Sequence, residues 1–340
     1  MAQPLVLVTG ATGFIAKHTI AELLRRGYPV RGSVRRLDRG DDVRRAVTRA
    51  GADPSGLSIV AADLLSDEGW DAALQGCRYV LHTASPFPVT QPDNADDVVK
   101  PARDGTLRVL AAAAKAGVKR VVLTSSTVAV MYAARPEGHI FSEDDWSDLD
   151  RGSITPYIRS KTLAERSAWD FVKSTPGAPE LSVINPAFVQ GPALDADLST
   201  SHEVLRFMAQ GLYPASPKIT FPVCDVRDVA IAHAEAMTSP KAAGERFIIA
   251  GGETRLYDIG QRLAAACPDL KSKVPKVELP DFAVRVLAIF DKRLRTIKPE
   301  LGRHRVCTNR KAREVLGLTL RGPDEAITAA ARSLRDMGLV

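Results

Sequence analysis

Short apolar runs alternate with helix-period segments through the first half of the chain. Leu5-Val6-Leu7-Val8, Val30 to Val34, Leu57 to Ala61, Tyr79-Val80-Leu81 and Val121-Val122-Leu123 lack regular polar alternation and are flanked by turn residues. Such runs suit strands covered on both faces. Between them, Ala16, Ile20, Leu23 and Leu24 fall on one helical face, as do Val98, Leu107 and Leu110. Strand–helix–strand alternation of this kind predicts an α/β fold with a parallel, doubly wound sheet and right-handed crossovers. A helix over about 156–173 and a strand from Leu181 to Ile184 extend it. Beyond Pro186 the order loosens into helices separated by Pro- and Gly-bearing loops, apart from a strand at Phe247-Ile248-Ile249. The expected division is a sheet domain over 1–185, rejoined by 219–250, and a smaller, mostly helical lobe over 186–218 and 251–340.

Composition narrows the class. The chain has 340 residues, 45% hydrophobic and 25% charged, a balance that excludes a disordered protein and is long enough for two lobes. No run approaches the roughly 18 uncharged apolar residues of a membrane-spanning helix. The start, MAQPLVLVTG, lacks a basic segment followed by an apolar one, so secretion is not expected. Cys77, Cys224, Cys267 and Cys307 lie far apart with no C-x-x-C, which points to reduced thiols in a cytoplasmic protein and away from zinc or disulfides. The net charge of +6 is unevenly spread. Residues 25–49 hold nine arginines against three aspartates, and residues 285–313 hold ten basic residues against Asp291 and Glu300. No nucleic-acid-binding motif accompanies either block, so nucleic acid is not an expected partner. The second block is left without a role.

The first candidate chemistry follows the first strand. Thr9-Gly10-Ala11-Thr12-Gly13-Phe14-Ile15-Ala16 runs directly into a helix. Glycines there let the backbone turn tightly and approach a pyrophosphate, which then sits on unpaired N–H groups at the helix N-terminus. This predicts a Rossmann-type dinucleotide site, with Gly10, Thr12, Gly13, Phe14 and Ile15 in the loop and Ala16 where a third glycine is usual. At the end of the second strand an acid would accept bonds from a ribose 2′-hydroxyl and repel a 2′-phosphate. The chain has Ser33-Val34-Arg35-Arg36 there, and a guanidinium grips phosphate through paired, charge-assisted bonds, so NADP is favoured over NAD. Arg44 and Arg45 read as a solvated helix face. Asp63-Leu64, after the third strand, sits either beside an adenine or in a turn.

A second constellation adds reactivity. In Tyr157-Ile158-Arg159-Ser160-Lys161 the phenol and the ammonium share a helix face at i and i+4. A phenol with an ordinary pKa near ~10 is a competent acid near neutrality, and a nearby cation would lower that value. Thr124-Ser125-Ser126 lies at the C-terminal end of the fifth strand, where ligands bind in such sheets, and a serine hydroxyl there can polarise a carbonyl.

With VTGATGFIA, VRGSVRR, AADL, VLHTASPF, VVLTSS, YIRSKTLAERSAW, INPAFVQGP, DVRDVAIAH and GERFIIAGG, the chain resembles an extended short-chain dehydrogenase/reductase over nearly its whole length. It is most similar to the dihydroflavonol reductase-like group with its cinnamoyl-CoA reductase and aldehyde/ketone reductase relatives. The resemblance implies Ser126, Tyr157 and Lys161 as the catalytic set, with Ser126 preferred over Ser125. It implies that Lys161 also binds nicotinamide ribose hydroxyls, that Arg35 binds the 2′-phosphate of NADPH, and that Asp63 and Leu64 line the adenine. Ala84 and Ser85 would flank the cofactor, and Pro186 to Val189 would meet the nicotinamide. The implied activity is NADPH-dependent reduction of a small-molecule aldehyde or ketone, by a monomer or homodimer. A nucleotide-sugar epimerase or a non-catalytic dinucleotide sensor are the alternatives. Met131 stands where plant flavonoid reductases carry an Asn, and Pro186-Ala187-Phe188 replaces Pro-Gly-Phe, which argues against a dihydroflavonol substrate. Met131, Phe87, Phe188 and Tyr213 suggest a pocket with apolar walls. His82 reads as a packing residue beside the sheet.

Overall fold

The computed structural model describes residues 3–85, 96–152, 154–289 and 300–340. Five strands open the chain: β1 Val6–Thr9, β2 Val30–Val34, β3 Leu57–Ala61, β4 Tyr79–His82 and β5 Arg120–Thr124. With Glu180–Pro186 and Arg246–Ile249 they form one seven-stranded sheet in the order 246–249, 180–186, β5, β4, β1, β2, β3. Every neighbouring pair is parallel. The chain builds outward from β1 to β3, then returns to the other side of β1 with β4, so crossovers leave β1 and β4 in opposite directions.

Side chains alternate between two cores, as the period of two in a strand requires. Val6, Val8, Leu81, Val122 and Ile184 face one way. They meet α1 (Phe14–Arg25), α2 (Gly40–Arg49) and, later in the chain, α7 (Val226–Thr238). Leu7, Val80, Val121, Leu123 and Val183 face the other. They meet α3 (Trp70–Leu74), α4 (Asp96–Lys115) and α5 (Pro156–Ser174). Burial on both faces explains the unbroken apolar runs in the sequence. Edge strand β3 is the exception, with Ser58 and Ala61 exposed.

A third cluster lies after Pro186. It packs Leu205 and Met208 of α6 (Thr200–Ala209), Ile259 and Leu263 of α8 (Leu256–Ala266), and Ile327 and Leu334 of the helix Pro323–Asp336. These helices sit with a small sheet, Gly252–Arg255, Thr220–Asp225 and Phe188–Gln190, that the hydrophobic pattern did not predict. Pro222 and the polar ends of these short strands disguise them. The segment 219–250 is accordingly split between sheets: Thr220–Asp225 pairs in the small one, and Arg246–Ile249 closes the large one. No helix among the described residues is long and apolar enough to cross a membrane.

One buried cation joins the sheet to its covering helix. Arg120 of β5 is only 2% exposed. It donates to the carbonyls of Ala236, Met237 and Ser239, at 2.8, 3.2 and 2.7 Å, and pairs with Glu180. The guanidinium thus caps the last turn of α7, satisfying carbonyls that a helix end leaves open. Arg120→Ala is expected to destabilise the protein by about 3 kcal/mol, from lost charge-assisted bonds and a cavity. Urea unfolding of the two proteins measures this, and a loss under ~1 kcal/mol would mean that water replaces the guanidinium.

Candidate active site

The residues predicted for the glycine loop, the 2′-phosphate, the adenine and the catalytic set lie at or just beyond the C-terminal ends of the parallel strands. The loop after β1 is held from both sides. Gly10 N–H donates to Ser33 Oγ at 3.2 Å and Ala11 N–H to the Ser33 carbonyl at 2.8 Å, tying it to β2. Thr9 ties it to the loop after β4, its hydroxyl accepting from Ala84 N–H at 3.1 Å. Gly10 adopts φ +65°, and a Cβ there would lie 2.9 Å from the Ala84 Cα. Only glycine fits that approach. Helix α1 begins at Phe14 without a side-chain cap or an acid in its first turn, leaving N–H groups at its start for a ligand anion. Thr12, Phe14 and Ile15 are half-buried around that start, and Gly13 is exposed.

The arginine block after β2 sorts itself by pairing. Arg25 and Arg26 bind Glu22, Arg36 binds Asp38, and Arg39 and Arg45 bind Asp42. Arg31, Arg44 and Arg49 donate to backbone carbonyls. Arg44 is therefore a structural donor to the Leu57 carbonyl at 2.7 Å, not part of a solvated face. Arg35, exposed at the end of β2, has no ion pair or hydrogen bond among the described residues. Next to it across the sheet, where Val34 pairs with Ala61, Asp63 forms a turn. Its carboxylate accepts from Leu65 N–H at 3.0 Å and its carbonyl from the Trp70 indole at 3.1 Å. Leu64 is half-buried against Gly105.

Ser126, Tyr157 and Lys161, the expected catalytic set, converge at the end of β5 and the start of α5. Thr155 caps α5 through Ile158 N–H at 3.3 Å and Pro156 opens its first turn, so Tyr157 and Lys161 occupy successive turns on one face. The Tyr157 hydroxyl is hydrogen-bonded to Ser126, whose backbone is extended and whose Oγ also accepts from Val128 N–H at 3.3 Å. Burial pushes the Tyr157 phenol above its ordinary range, partly offset by the bond to Ser126. The expected lowering by Lys161 is therefore not what this chain shows by itself; desolvation wins, and the phenol is protonated at neutral pH. Burial pulls the Lys161 ammonium down to about 8, against the attraction of Glu165 one turn further on.

His82, at the end of β4, is 1% exposed, with Nδ1 bonded to the Thr9 hydroxyl at 2.8 Å and Nε2 without a partner among the described residues. Burial and Lys161 lower its pKa to about 3, so it is neutral. Ala84 and Ser85 are half-buried beyond it. Pro186 ends its strand beside Ser126, where neighbouring Asn185 donates to the Ser126 carbonyl at 3.2 Å. Val189 lies on the short strand that follows.

Of the residues expected to wall an apolar pocket, Met131, Phe188 and Tyr213 fall within the described residues. Met131 lines an open cavity of about 450 Å³ with Arg135, Arg151, Arg303 and Arg305. Phe188 stacks on Phe221 and Tyr213 meets Phe207 edge-on, both bordering the third core. Met131 follows β5, and the two aromatics belong to the packing around α6 and α8. Phe87 lies outside the described residues, as does 290–299 of the second basic block. Ser125, the alternative to Ser126, spends its hydroxyl on the buried carboxylate of Glu165. Glu165, Asn185 and Arg246 are residues the sequence reading did not single out. A carboxylate four residues beyond Lys161 on the buried face of its helix was the available signal.

This arrangement has relatives. Residues 6–250 match the model of the NAD dependent epimerase/dehydratase family. The chain is similar to the ketoreductase azaE of Aspergillus niger, at 33% identity over 97% of each chain. It is similar to cinnamoyl-CoA reductase 2 of Arabidopsis thaliana, at 40% identity over 74% of each. Among solved structures, yeast methylglyoxal/isovaleraldehyde reductase Gre2 complexed with NADPH superimposes with a TM-score of 0.80 at 27% identity, covering 99% of this chain and 100% of that one. With a matched family model spanning most of its length, the chain belongs to the NAD dependent epimerase/dehydratase family, the extended short-chain dehydrogenase/reductases.

Proposed function

We propose that the protein is an NADPH-dependent carbonyl reductase that converts a small aldehyde or ketone to an alcohol. The observation that carries this reading is the Tyr157–Ser126 hydrogen bond at the mouth of the sheet, with Lys161 one helical turn away and the glycine loop alongside. NADPH binding is supported by the fit of the residues present. The bare Gly10 backbone lets the loop turn tightly against Ala84, α1 presents an uncapped N-terminus, and Arg35 is a cation without a partner among the described residues. Arg35 would hold the 2′-phosphate, with Asp63 and Leu64 beside the adenine. Ala84, Ser85, Pro186 and Val189 would flank the nicotinamide half, and Lys161 would donate to ribose hydroxyls. The reductases azaE and Gre2, the latter with NADPH bound, point to the same chemistry.

When bound, NADPH supplies the hydride that adds to the carbonyl carbon. The chain's part is to manage the oxygen. Ser126 Oγ and the Tyr157 hydroxyl donate hydrogen bonds to it, stabilising negative charge as it develops. Tyr157 then gives up its proton to form the alcohol, a role suited to a phenol that burial keeps protonated. Lys161, when charged, stabilises the phenolate left behind. An epimerase reading would want a carboxylate where Arg35 stands.

Two measurements test this. Tyr157→Phe is expected to lower kcat by about 10²- to 10⁴-fold while leaving the NADPH Kd nearly unchanged; full activity in that variant would sink the assignment. Arg35→Ser is expected to weaken NADPH binding by roughly 10- to 100-fold, the worth of a lost charge-assisted phosphate contact. NADH binding should barely respond. Equal loss for both cofactors would remove Arg35 from phosphate recognition. Following NADPH oxidation against a panel of aldehydes, aryl ketones, diketones and ketoesters then identifies the substrate.

A further inference from the structure

Behind the catalytic set lies a carboxylate that reaches three separate parts of the chain and a neighbour on its own helix. The side chain of Glu165 is fully buried. Its Oε2 accepts from the Ser125 hydroxyl at the end of β5 and from Asn185 Nδ2 at 2.9 Å. Its Oε1 accepts from Arg246 Nε at 2.6 Å and from the Trp169 indole at 3.4 Å. Asn185 in turn holds the Ser126 carbonyl. Arg246, 8% exposed at its side chain, is itself fixed by the carbonyls of Glu143 and Asp145, at 2.7 and 2.9 Å, and lies 3.8 Å over the Trp146 ring.

We propose that Glu165 is a positioning residue for the Ser126–Tyr157–Lys161 set: its carboxylate pins the turn that carries Ser126 and stations a negative charge one helical turn from Lys161. The proposal rests on the role given above to that set. A purely structural anchor would need only the Arg246 pair. Glu165 instead divides its two oxygens, one toward Arg246 and one toward the backbone turn of the reactive serine. Its spacing from Tyr157 and Lys161, eight and four residues, keeps all three on the same face of α5.

Among the described residues, few groups act on Lys161. Glu165 comes from its own helix, and His82 from β4 is neutral. Tyr157 on α5 is a protonated phenol. Arg246 stands behind the carboxylate, on the last strand of the sheet, with the backbone of Glu143 and Asp145 beyond it. Glu165 is therefore the charge that favours an ammonium in this buried place, and an ammonium is what ribose hydroxyls would be held by.

The test uses the full-length wild type, Glu165→Gln and Glu165→Gln/Arg246→Met proteins. NADPH Kd is measured by calorimetry between about pH 6 and 10, with melting temperatures in parallel. The neutral form of Lys161 grows above about pH 8. Wild-type affinity should hold to that pH and then fall with each further unit. In Glu165→Gln the break is expected roughly one unit lower, the effect of losing an opposite charge close by. The single variant strands the Arg246 guanidinium and should melt early. The double variant removes that charge and should recover its melting temperature while keeping the lowered break. A folded double variant with the wild-type break overturns the proposal and leaves Glu165 as a packing anchor. Wild-type protein that binds no NADPH at any pH would instead overturn the cofactor reading, and the proposal with it.

Discussion

The structure depends on the reversal of direction between β1 and β4. Both strands are central, parallel and fully buried, and they pair along their whole length. Their crossovers nevertheless run to opposite sides, so the loops at their C-terminal ends cannot pack over one another. A crevice opens there as a topological necessity. The chain closes this crevice with Gly10 packed closely against Ala84 and lashes the two diverging loops together through Thr9. Each functional candidate then follows from being the next residue along a strand once it leaves the sheet. Arg35 ends β2, Asp63 follows β3, Ser126 follows β5 and Pro186 ends its own strand.

Buried polar groups interrupt the apolar cover of the sheet. Besides Arg120 under the end of α7, Glu165, Arg246, Asn185 and Ser125 form one connected cluster behind the crevice. Burying a carboxylate and a guanidinium carries a large desolvation cost, tolerable only where the remaining hydrogen-bonding capacity is filled. Glu165 meets that condition with four donors. Such a cluster specifies geometry more than it adds stability, because each bond has a fixed direction and an apolar replacement would not hold the turn at Ser126 in one place. The surface pairs of the arginine block are different in kind. Arg36 and Asp38 are largely solvated, and such contacts contribute little to stability. Their consequence is local: by neutralising its neighbours they leave Arg35 as the exposed cation beside the crevice.

Most of the fold was legible because strands buried on both faces lack regular polar alternation. The runs at Val6, Tyr79 and Val121 announced themselves for that reason, and Val30 to Val34 did so by its valines between turn residues. The small sheet did not, since Thr220–Asp225 and Gly252–Arg255 are short, carry Pro222 and charged residues, and read as loop. At the site, residues near one another in sequence were readable: the glycine loop, the Tyr157–Lys161 turn and Arg35 at a strand end. Glu165 was not, although it lies in a stretch with obvious helical character. Its partners are 40, 20 and 81 residues away, and spacing along one helix carries no information about them. Pairing was likewise hidden. Nine arginines look alike in sequence, and only the tertiary fold shows that eight are engaged.

The acid–base character of the site follows from one physical cause acting on two groups in opposite senses. Desolvation favours the neutral form of any ionisable group, so it raises the phenol of Tyr157 and lowers the ammonium of Lys161. For the tyrosine this is helpful, since a proton donor must hold its proton at rest. For the lysine it is a liability, because a neutral amine neither stabilises a phenolate nor grips hydroxyls as strongly. A site that relied on burial alone would therefore prepare its acid and lose its cation together. The remedy has to be a charge that reaches Lys161 and not Tyr157. Glu165 has that selectivity by position, one turn from the lysine and two from the tyrosine, and its charge favours the Lys161 ammonium. Helix periodicity thus lets a single segment, Tyr157 to Glu165, hold a protonated acid, a charged amine and the counter-charge that separates their behaviour.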